Sequence, residues 1–589
     1  MTIPAIIVTL TVLLLIVLLY FDVVKAVMAF FIVILILLFS GVIATPDVMS
    51  GFANEQIAVV ILLLILSDII QRSGALDTLL SGIFNPALSY KRFMLRLTGS
   101  VASVSGFVNN TPLVAILIPH TYEWARKKGI SPSKVLLPLS YAALLGGTIT
   151  LVGTSTNLIV NGFLQETGHP GFGFFDFTIV GLPVALLGVG YIILLGLRLL
   201  PDRRDALANF KDQSREYLVE TKIPTNSGYI GKSVEEAGLR NLKGLFLVEI
   251  QRGEERIIPV GPKEIIEDDD ALIFAGDTST IIDLLGKNSD MILPKYSQLG
   301  QENIQVVEVV ISAQSSLIGK RVRNTNFRGN YDAAIVAINR DGSRLTGKIG
   351  EVILVAGDLL LLTTGKDFTI RAEEQQDFFV ISQLKQIQRL QPWKGALLFG
   401  GLVAVFTSAA IGFTSLFEGL LLLLGILAAA RMIRFTDLKK SFDLELYLIL
   451  VFALALGKSM SNSGLDELIA SGMLSVIKPL NSPVAALAAV YLLTNVLAML
   501  VSNKAAVAIA FPVTIAACQS MGVENVTPFV LAIAFAGSAE FMTPYGYQTN
   551  LMVYGPGGYK FKDYVKVGWG LSLLYMVMCI AILSWVYGL

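Results

Sequence analysis

The chain has 589 residues, 54% of them hydrophobic, and a mean hydropathy of +0.68, which is too apolar for a water-soluble globular protein and points to many membrane crossings. Its 45 basic and 45 acidic residues balance, which argues against a nucleic-acid binder. The two cysteines, Cys518 and Cys579, lie in apolar runs, which argues against a disulfide framework or a thiolate metal site.

A spanning helix needs about 20 mostly apolar residues. The first half supplies crossings over about 4–21, 24–44, 55–71, 133–164 (interrupted at Gly153–Asn157) and 174–200, with a hairpin over 93–120 that enters and returns. The run from Ile3 to Tyr20 has no basic region before it and no small-residue cleavage site after it, so it reads as a retained span and not a signal peptide. Charge then crowds into residues 201–392. Strand-like runs there, Leu245–Ile250 and Ala271–Ala275, and turn residues at Arg252-Gly253 and Arg340-Asp341-Gly342 predict a soluble α+β insert. The second half returns to crossings over about 393–412, 414–433, 443–458, 525–553 (interrupted at Pro544–Asn550) and 564–588, with a hairpin over 482–513.

Two internal repeats organise this order. Asn110 and Asn157 are 47 residues apart, as are Asn503 and Asn550; Pro119 and Pro512 each follow their asparagine by nine residues, and Gly153 and Gly546 by 43. All four pairs share the offset 393. Polar interruptions at Asn109-Asn110-Thr111-Pro112 and Ser502-Asn503-Lys504 cannot be ordinary lipid-exposed helix, because broken backbone survives in hydrocarbon only where protein or a watery cavity covers it. Repeated broken helices are the sequence mark of a transporter's binding site. Five crossings per half is odd, so the second copy is inverted relative to the first. The insert has its own repeat: Ile230-Gly231-Lys232-Ser233-Val234 returns 88 residues later as Ile318-Gly319-Lys320-Arg321-Val322. The predicted division is residues 1–200, membrane repeat 1; 201–301, linker and first insert domain; 302–392, second insert domain and linker; and 393–589, membrane repeat 2.

Basic residues set the orientation. Lys25, Arg72, Lys91, Arg92, Arg96, Arg126, Lys127, Lys128, Arg203, Arg204, Arg431, Arg434, Lys439, Lys440, Lys560 and Lys562 all fall on one side, which predicts that side, and the insert, to be cytoplasmic and both termini to lie outside. Lys458 is an exception.

Ser538-Ala539-Glu540-Phe541-Met542-Thr543-Pro544-Tyr545-Gly546, followed by Asn550-Leu551-Met552-Val553, resembles the signature of the divalent anion–sodium symporter family, and Asn110-Thr111 and Ser502-Asn503 match parts of its paired hairpin-tip motifs. The resemblance spans both membrane halves. It implies sulfate or di- and tricarboxylate transport by an elevator motion in a homodimer. The insert resembles paired TrkA-C domains, the C-terminal domains of regulators of K+ conductance. Related small domains bind a nucleotide such as cyclic di-AMP between two copies, which implies a regulatory ligand; a plain dimerisation or folding module is the alternative. No Gly-x-Gly-x-x-Gly follows a strand, so no dinucleotide cofactor is expected.

On this reading Asn110, Thr111, Ser502, Asn503 and Lys504 contact the anion. One cation site draws on Asn109, Asn110, Gly153, Thr154, Ser155 and Asn157; a second draws on Asn503, Glu540, Thr543, Gly546 and Asn550. Na+ is the expected ion. Helix N-termini at the breaks supply N–H groups and a positive dipole end, Asn and Thr add neutral donors, and unwound carbonyls hold the cation. Two positions depart from the family pattern: Asn109 stands for serine and Lys504 for threonine. A charge at mid-membrane costs about 2.5–3.5 kcal/mol on insertion scales, so Lys504 needs a role or a partner. It contacts the anion, replaces a sodium ion, pairs with Glu540, or snorkels to water; Glu540 in turn pairs with it or carries a coupling proton.

The function expected is a secondary active symporter of sulfate or a similar oxyanion driven by Na+ or H+. The competing readings are a dicarboxylate symporter, a cation/proton antiporter built on Lys504 and Glu540, and a K+ channel, against which stands the absence of a Thr-Val-Gly-Tyr-Gly filter. No nucleophile–base constellation or phosphate-binding loop suggests an enzyme.

Overall fold

A computed structural model of the chain describes residues 2–20, 24–72, 81–84, 87–203, 218–240, 242, 245–253, 255–276, 291, 306–312, 315–340, 343–345, 349–365, 367–375, 377–381, 392–432, 442, 444–477 and 482–589. Arg204, Arg434, Lys439 and Lys440, most of both insert linkers and the end of the first insert domain lie outside the described residues.

The membrane helices of the first half are α1 (Ile3–Tyr20), α2 (Ala26–Phe39), α3 (Thr45–Phe52), α4 (Glu55–Arg72), α5 (Tyr90–Ser105), α6 (Asn110–Lys127), α7 (Leu136–Gly147), α8 (Ser155–Glu166) and α9 (Thr178–Tyr191), the last running on through a π turn to Leu199. Those of the second half are α10 (Pro392–Ala410), α11 (Leu416–Ala429), α12 (Leu444–Ser463), α13 (Leu465–Ile477), α14 (Pro483–Leu500), α15 (Asn503–Ser520), α16 (Thr527–Ser538), α17 (Gln548–Tyr554) and α18 (Phe561–Tyr587). Among the described residues six helical segments are long and apolar enough to cross a membrane, and the protein is a polytopic helical membrane protein.

Both halves break their helices at matching places. α6 and α15 begin 393 residues apart, and so do α8 and α17. Each hairpin turns where a polar residue caps the returning helix: Asn109 Oδ1 accepts the Thr111 N–H at 3.2 Å, and Ser502 Oγ accepts that of Ala505 at 3.4 Å. Such caps satisfy N–H groups that have no partner inside the helix. Pro112 sits in the first turn of α6, where its missing N–H costs nothing. α5 packs on α7 and α14 on α16. Two small residues permit the first contact: a Cβ on Gly146 would collide with the Ala102 carbonyl.

Apolar side chains sort these helices into layers. α7, α8, α15 and α16 are buried over nearly their whole length. α1, α9 and α18 instead expose rows such as Ile6, Leu10, Leu13 and Val17, or Trp569, Leu573 and Val577. Such rows belong against lipid, where exposure of a large apolar side chain costs nothing. The broken helices are therefore the centre of the protein and the unbroken ones its rim.

The insert forms two antiparallel sheets. The first has the order β1-β4-β2-β3, from β1 (Leu218–Lys222), β2 (Leu245–Arg252), β3 (Glu255–Ile257) and β4 (Ala271–Gly276). The second has the order β7-β6-β8-β5-β9, from β5 (Val306–Ile311), β6 (Ala333–Arg340), β7 (Ser343–Arg344), β8 (Leu359–Thr364) and β9 (Phe378–Val380). Details recur at the 88-residue offset. Bulges fall at Leu247/Glu249 and Ile335/Ala337, and isolated bridges join Ser233 to Ile265 and Arg321 to Ile353. Arg252 grips the buried Asp270 with two bonds of 2.9 Å, and Arg340 grips the buried Asp358 with two of 2.7 Å. Arg328 ties the sheets together, donating to the Val260 and Leu247 carbonyls at 2.8 and 2.9 Å.

The second sheet also rests on the membrane helices. Val310, Leu359 and Ile381 belong to the same continuous apolar core as those helices. Tyr122 on α6 donates to the fully buried Glu308 on β5 at 3.1 Å. At Gly555, just past α17, a Cβ would come within 2.6 Å of the Gly357 carbonyl.

Candidate functional site at the helix breaks

The two hairpin tips and the two interrupted helices supply every side chain named from the sequence as a binding candidate. Asn110, the first residue of α6, is buried; its Nδ2 donates to the Tyr547 hydroxyl at 2.8 Å, and its Oδ1 accepts a short bond from Ser105. The Tyr547 hydroxyl also lies 3.1 Å from Thr154 Oγ1. Thr154 and Tyr547 are themselves 393 residues apart, so equivalent positions of the two halves touch each other. Thr111 adds a second link, its hydroxyl donating to Gln548 at 3.3 Å. One break is thus closed over the other.

Each break is held by its own asparagine in the same way. Asn157 Nδ2 donates to the Thr150 carbonyl at 2.9 Å, and Asn550 Nδ2 to the Thr543 carbonyl at 3.0 Å. Asn550 Nδ2 also reaches the Glu540 carbonyl at 2.7 Å, and Asn550 Oδ1 lies 2.7 Å from Ser140 Oγ. These bonds satisfy carbonyls that unwinding has freed, which is what allows irregular backbone at membrane depth. Crowding by backbone requires glycine at Gly153, and side chains crowd Gly546. A Cβ on Gly153 would lie 2.5 Å from the Gly147 carbonyl, and one on Gly546 would collide with the Glu540 carboxylate. Thr543 Oγ1 accepts the Gly546 N–H at 3.3 Å.

One pair of equivalent positions sets a buried carboxylate in the second half against a glycine in the first. Gly147 in the first half leaves space that the Asn110 amide fills: a Cβ there would lie 2.6 Å from Asn110 Nδ2. Its counterpart at the 393 offset is Glu540, wholly buried. Neither carboxylate oxygen of Glu540 has a hydrogen-bond partner, so an ion pair with Lys504 is not made at hydrogen-bonding distance in this structure. Lys504 lies half-buried in the first turn of α15. Asn157 Oδ1 and Ser538 Oγ are buried and unpartnered too. A buried polar atom without a partner costs about 1–3 kcal/mol, and such atoms ask for an ion, a water or a substrate group.

The assigned residues thereby divide by geometry. Asn110, Thr111, Thr154, Glu540, Thr543, Gly546 and Asn550 form a connected group around Tyr547, and Asn157 and Gly153 shape the adjoining first break. Ser155 opens α8, and Asn109 and Ser502 cap their helices. Asn503, equivalent to Asn110, opens α15 and is nearly buried. Sequence reasoning missed Tyr547, Ser105, Ser140 and Thr150. The repeat carried a signal for Thr150, which matches Thr543 in type and offset. Ser140 carried none, because its contact with Asn550 joins two helices from different halves.

Three donor-rich helix starts (α6, α8 and α15) together with neutral amide and hydroxyl groups form a setting for a small anion, and the unpartnered oxygens suit small cations. The sequence pattern of the citrate transporter family matches residues 13–427 and 402–588. A protein of Chlamydomonas reinhardtii named "Putative sulfur deprivation response regulator" is 30% identical over 567 residues, covering 92% of this chain and 95% of that protein. An uncharacterized transporter of Synechocystis is 30% identical, covering 93% of this chain and 91% of its own length. A protein named sodium/sulfate cotransporter 2, also of Chlamydomonas reinhardtii, is 22% identical over 92% of this chain and 85% of its own. The chain therefore belongs to the citrate transporter family and is a membrane transporter of the divalent anion–sodium symporter type.

Proposed function

We propose that this transporter is a secondary active symporter of sulfate or a similar small divalent oxyanion, driven by Na+ or H+. The observation that carries the reading is the convergence of two repeated helix breaks on Tyr547, with the unpartnered oxygens of Asn157, Ser538 and Glu540 beside them. Relatives named sodium/sulfate cotransporters support sulfate and Na+. Asn110, Thr111, Ser502, Asn503 and Lys504 contact the anion. Neutral amide oxygens and unwound carbonyls at the first break, around Asn157 and Thr150, hold Na+. Alternating access proceeds by an elevator motion, with the second repeat inverted and two chains forming a homodimer. The insert, of TrkA-C type, lies in the cytoplasm and regulates transport through a nucleotide such as cyclic di-AMP.

Uptake of labelled sulfate into proteoliposomes, with Na+ and proton gradients imposed separately, tests the reading. Gradient-driven sulfate accumulation is the expected result. A second reading, a di- or tricarboxylate symporter, is favoured by the family description, citrate transporter. Citrate accumulation without sulfate accumulation in the same vesicles would select it.

A further inference from the structure

Two helix breaks built on one plan differ at the position of one carboxylate. At the first, Gly147 stands where the chain folds past Asn157, and the oxygens around it are neutral. At the second, the equivalent position is Glu540, wholly buried, its main-chain carbonyl held by Asn550 and its carboxylate pressed against Gly546. Neither carboxylate oxygen has a hydrogen-bond donor. A bare carboxylate buried in this way costs several kcal/mol, and such a group neutralises unless a cation sits on it.

Among the described residues no titratable group hydrogen-bonds to that carboxylate. Tyr547 of the same loop is engaged with Asn110 and Thr154, Tyr141 on α7 donates to the Phe541 carbonyl, and Tyr564 on α18 donates to the Asn550 carbonyl. The hydroxyls of Tyr491 on α14 and Tyr575 on α18 make no hydrogen bond, and Lys504 at the start of α15 makes none to the carboxylate. We infer that Glu540 is the coupling site of the second half and carries a proton, so that the two breaks, equivalent in fold, are loaded by different cations: Na+ on neutral oxygens at the first, H+ on a carboxylate at the second. This rests on the symport reading above. The step balances simply: the carboxylate gains a proton facing one side, becomes neutral for the transit, and loses it facing the other.

Two measurements on the full-length protein test it. In proteoliposomes, the ratio of sulfate uptake with an inward proton gradient to uptake without one exceeds unity for the wild type and falls to unity for Glu540→Gln, whereas Glu540→Asp keeps a pH-dependent profile. A proton response that survives in Glu540→Gln, or is missing in the wild type, overturns the proposal. Independently of any substrate, infrared spectra of the purified protein across pH show a carboxylic C=O band that Glu540→Gln deletes and Glu540→Asp shifts. A band unchanged in Glu540→Gln, or one that Na+ removes from the wild type at constant pH, overturns it as well. Wild-type vesicles that accumulate no sulfate would defeat the symport reading, and the infrared result would still decide the proton assignment.

Discussion

At the residue scale the site depends on where glycine leaves room. Gly147 is one case, because the Asn110 amide occupies the place a methyl group would take. Gly147→Ala is expected to push that amide away from Tyr547, losing a hydrogen bond worth about 1 kcal/mol. Sulfate uptake at low substrate concentration should then fall by about five- to tenfold. Uptake unchanged in Gly147→Ala would reject that explanation. Gly153, Asn157 and Asn550 were legible from the 393 offset alone. Tyr547 was not: its partners Asn110 and Thr154 belong to the other half of the chain, and no local pattern announces a contact across 437 or 393 residues.

At the element scale the helix breaks follow from chemistry written in the chain. Asn109 and Ser502 are strong cap residues, Pro112 fits a first turn, and Gly153 accepts a backbone approach no side chain tolerates. The polar tips before α6 and α15 were readable in the sequence, within hairpins over 93–120 and 482–513. α13 was not anticipated: its 13 residues span only about 20 Å, short of a bilayer core, and neither crossing nor hairpin patterns identify such a segment. Tyr547→Phe tests how the breaks are joined. It removes one hydroxyl shared by Asn110 and Thr154 and leaves a buried amide donor unpaired, at a cost of about 1–3 kcal/mol. The expected outcome is a lower thermal transition of the membrane part together with reduced uptake. Full uptake with unchanged melting would mean that the bridge is incidental.

At the scale of the whole molecule, the insert's two sheets are each pinned by a half-buried arginine gripping a buried aspartate, Arg252 with Asp270 and Arg340 with Asp358. Removing the arginine leaves a buried carboxylate without its charged partner, so Arg252→Ala and Arg340→Ala are each expected to destabilise their own sheet by about 1–3 kcal/mol. Hydrogen exchange in the full chain would read this as lost protection confined to β1–β4 or to β5–β9; equal loss in both sheets would show that they unfold as one unit. The docking of the second sheet has a separate test. Gly555→Val places bulk against the Gly357 carbonyl and is expected to raise exchange in β8 and alter uptake without unfolding either part. The 88-residue repeat was visible in the sequence, but this docking was not. It depends on Tyr122, Glu308 and Gly555 meeting from three distant stretches of chain.

That docking has a thermodynamic corollary. The second sheet holds α6, of the first half, through Tyr122, and the end of α17, of the second half, through Gly555. Those same helices carry Asn110 and Asn550 at their other ends. If the distance between the two footholds differs between transport states, then docked and undocked insert favour different states. Linkage makes the effect mutual: whatever factor an insert ligand imposes on the binding of anion or cation, the transported ions impose on that ligand in return. The insert would then read out how fully the carrier is loaded as well as control it, and a binding isotherm for its ligand, taken with and without sulfate, would measure transporter occupancy from outside the membrane.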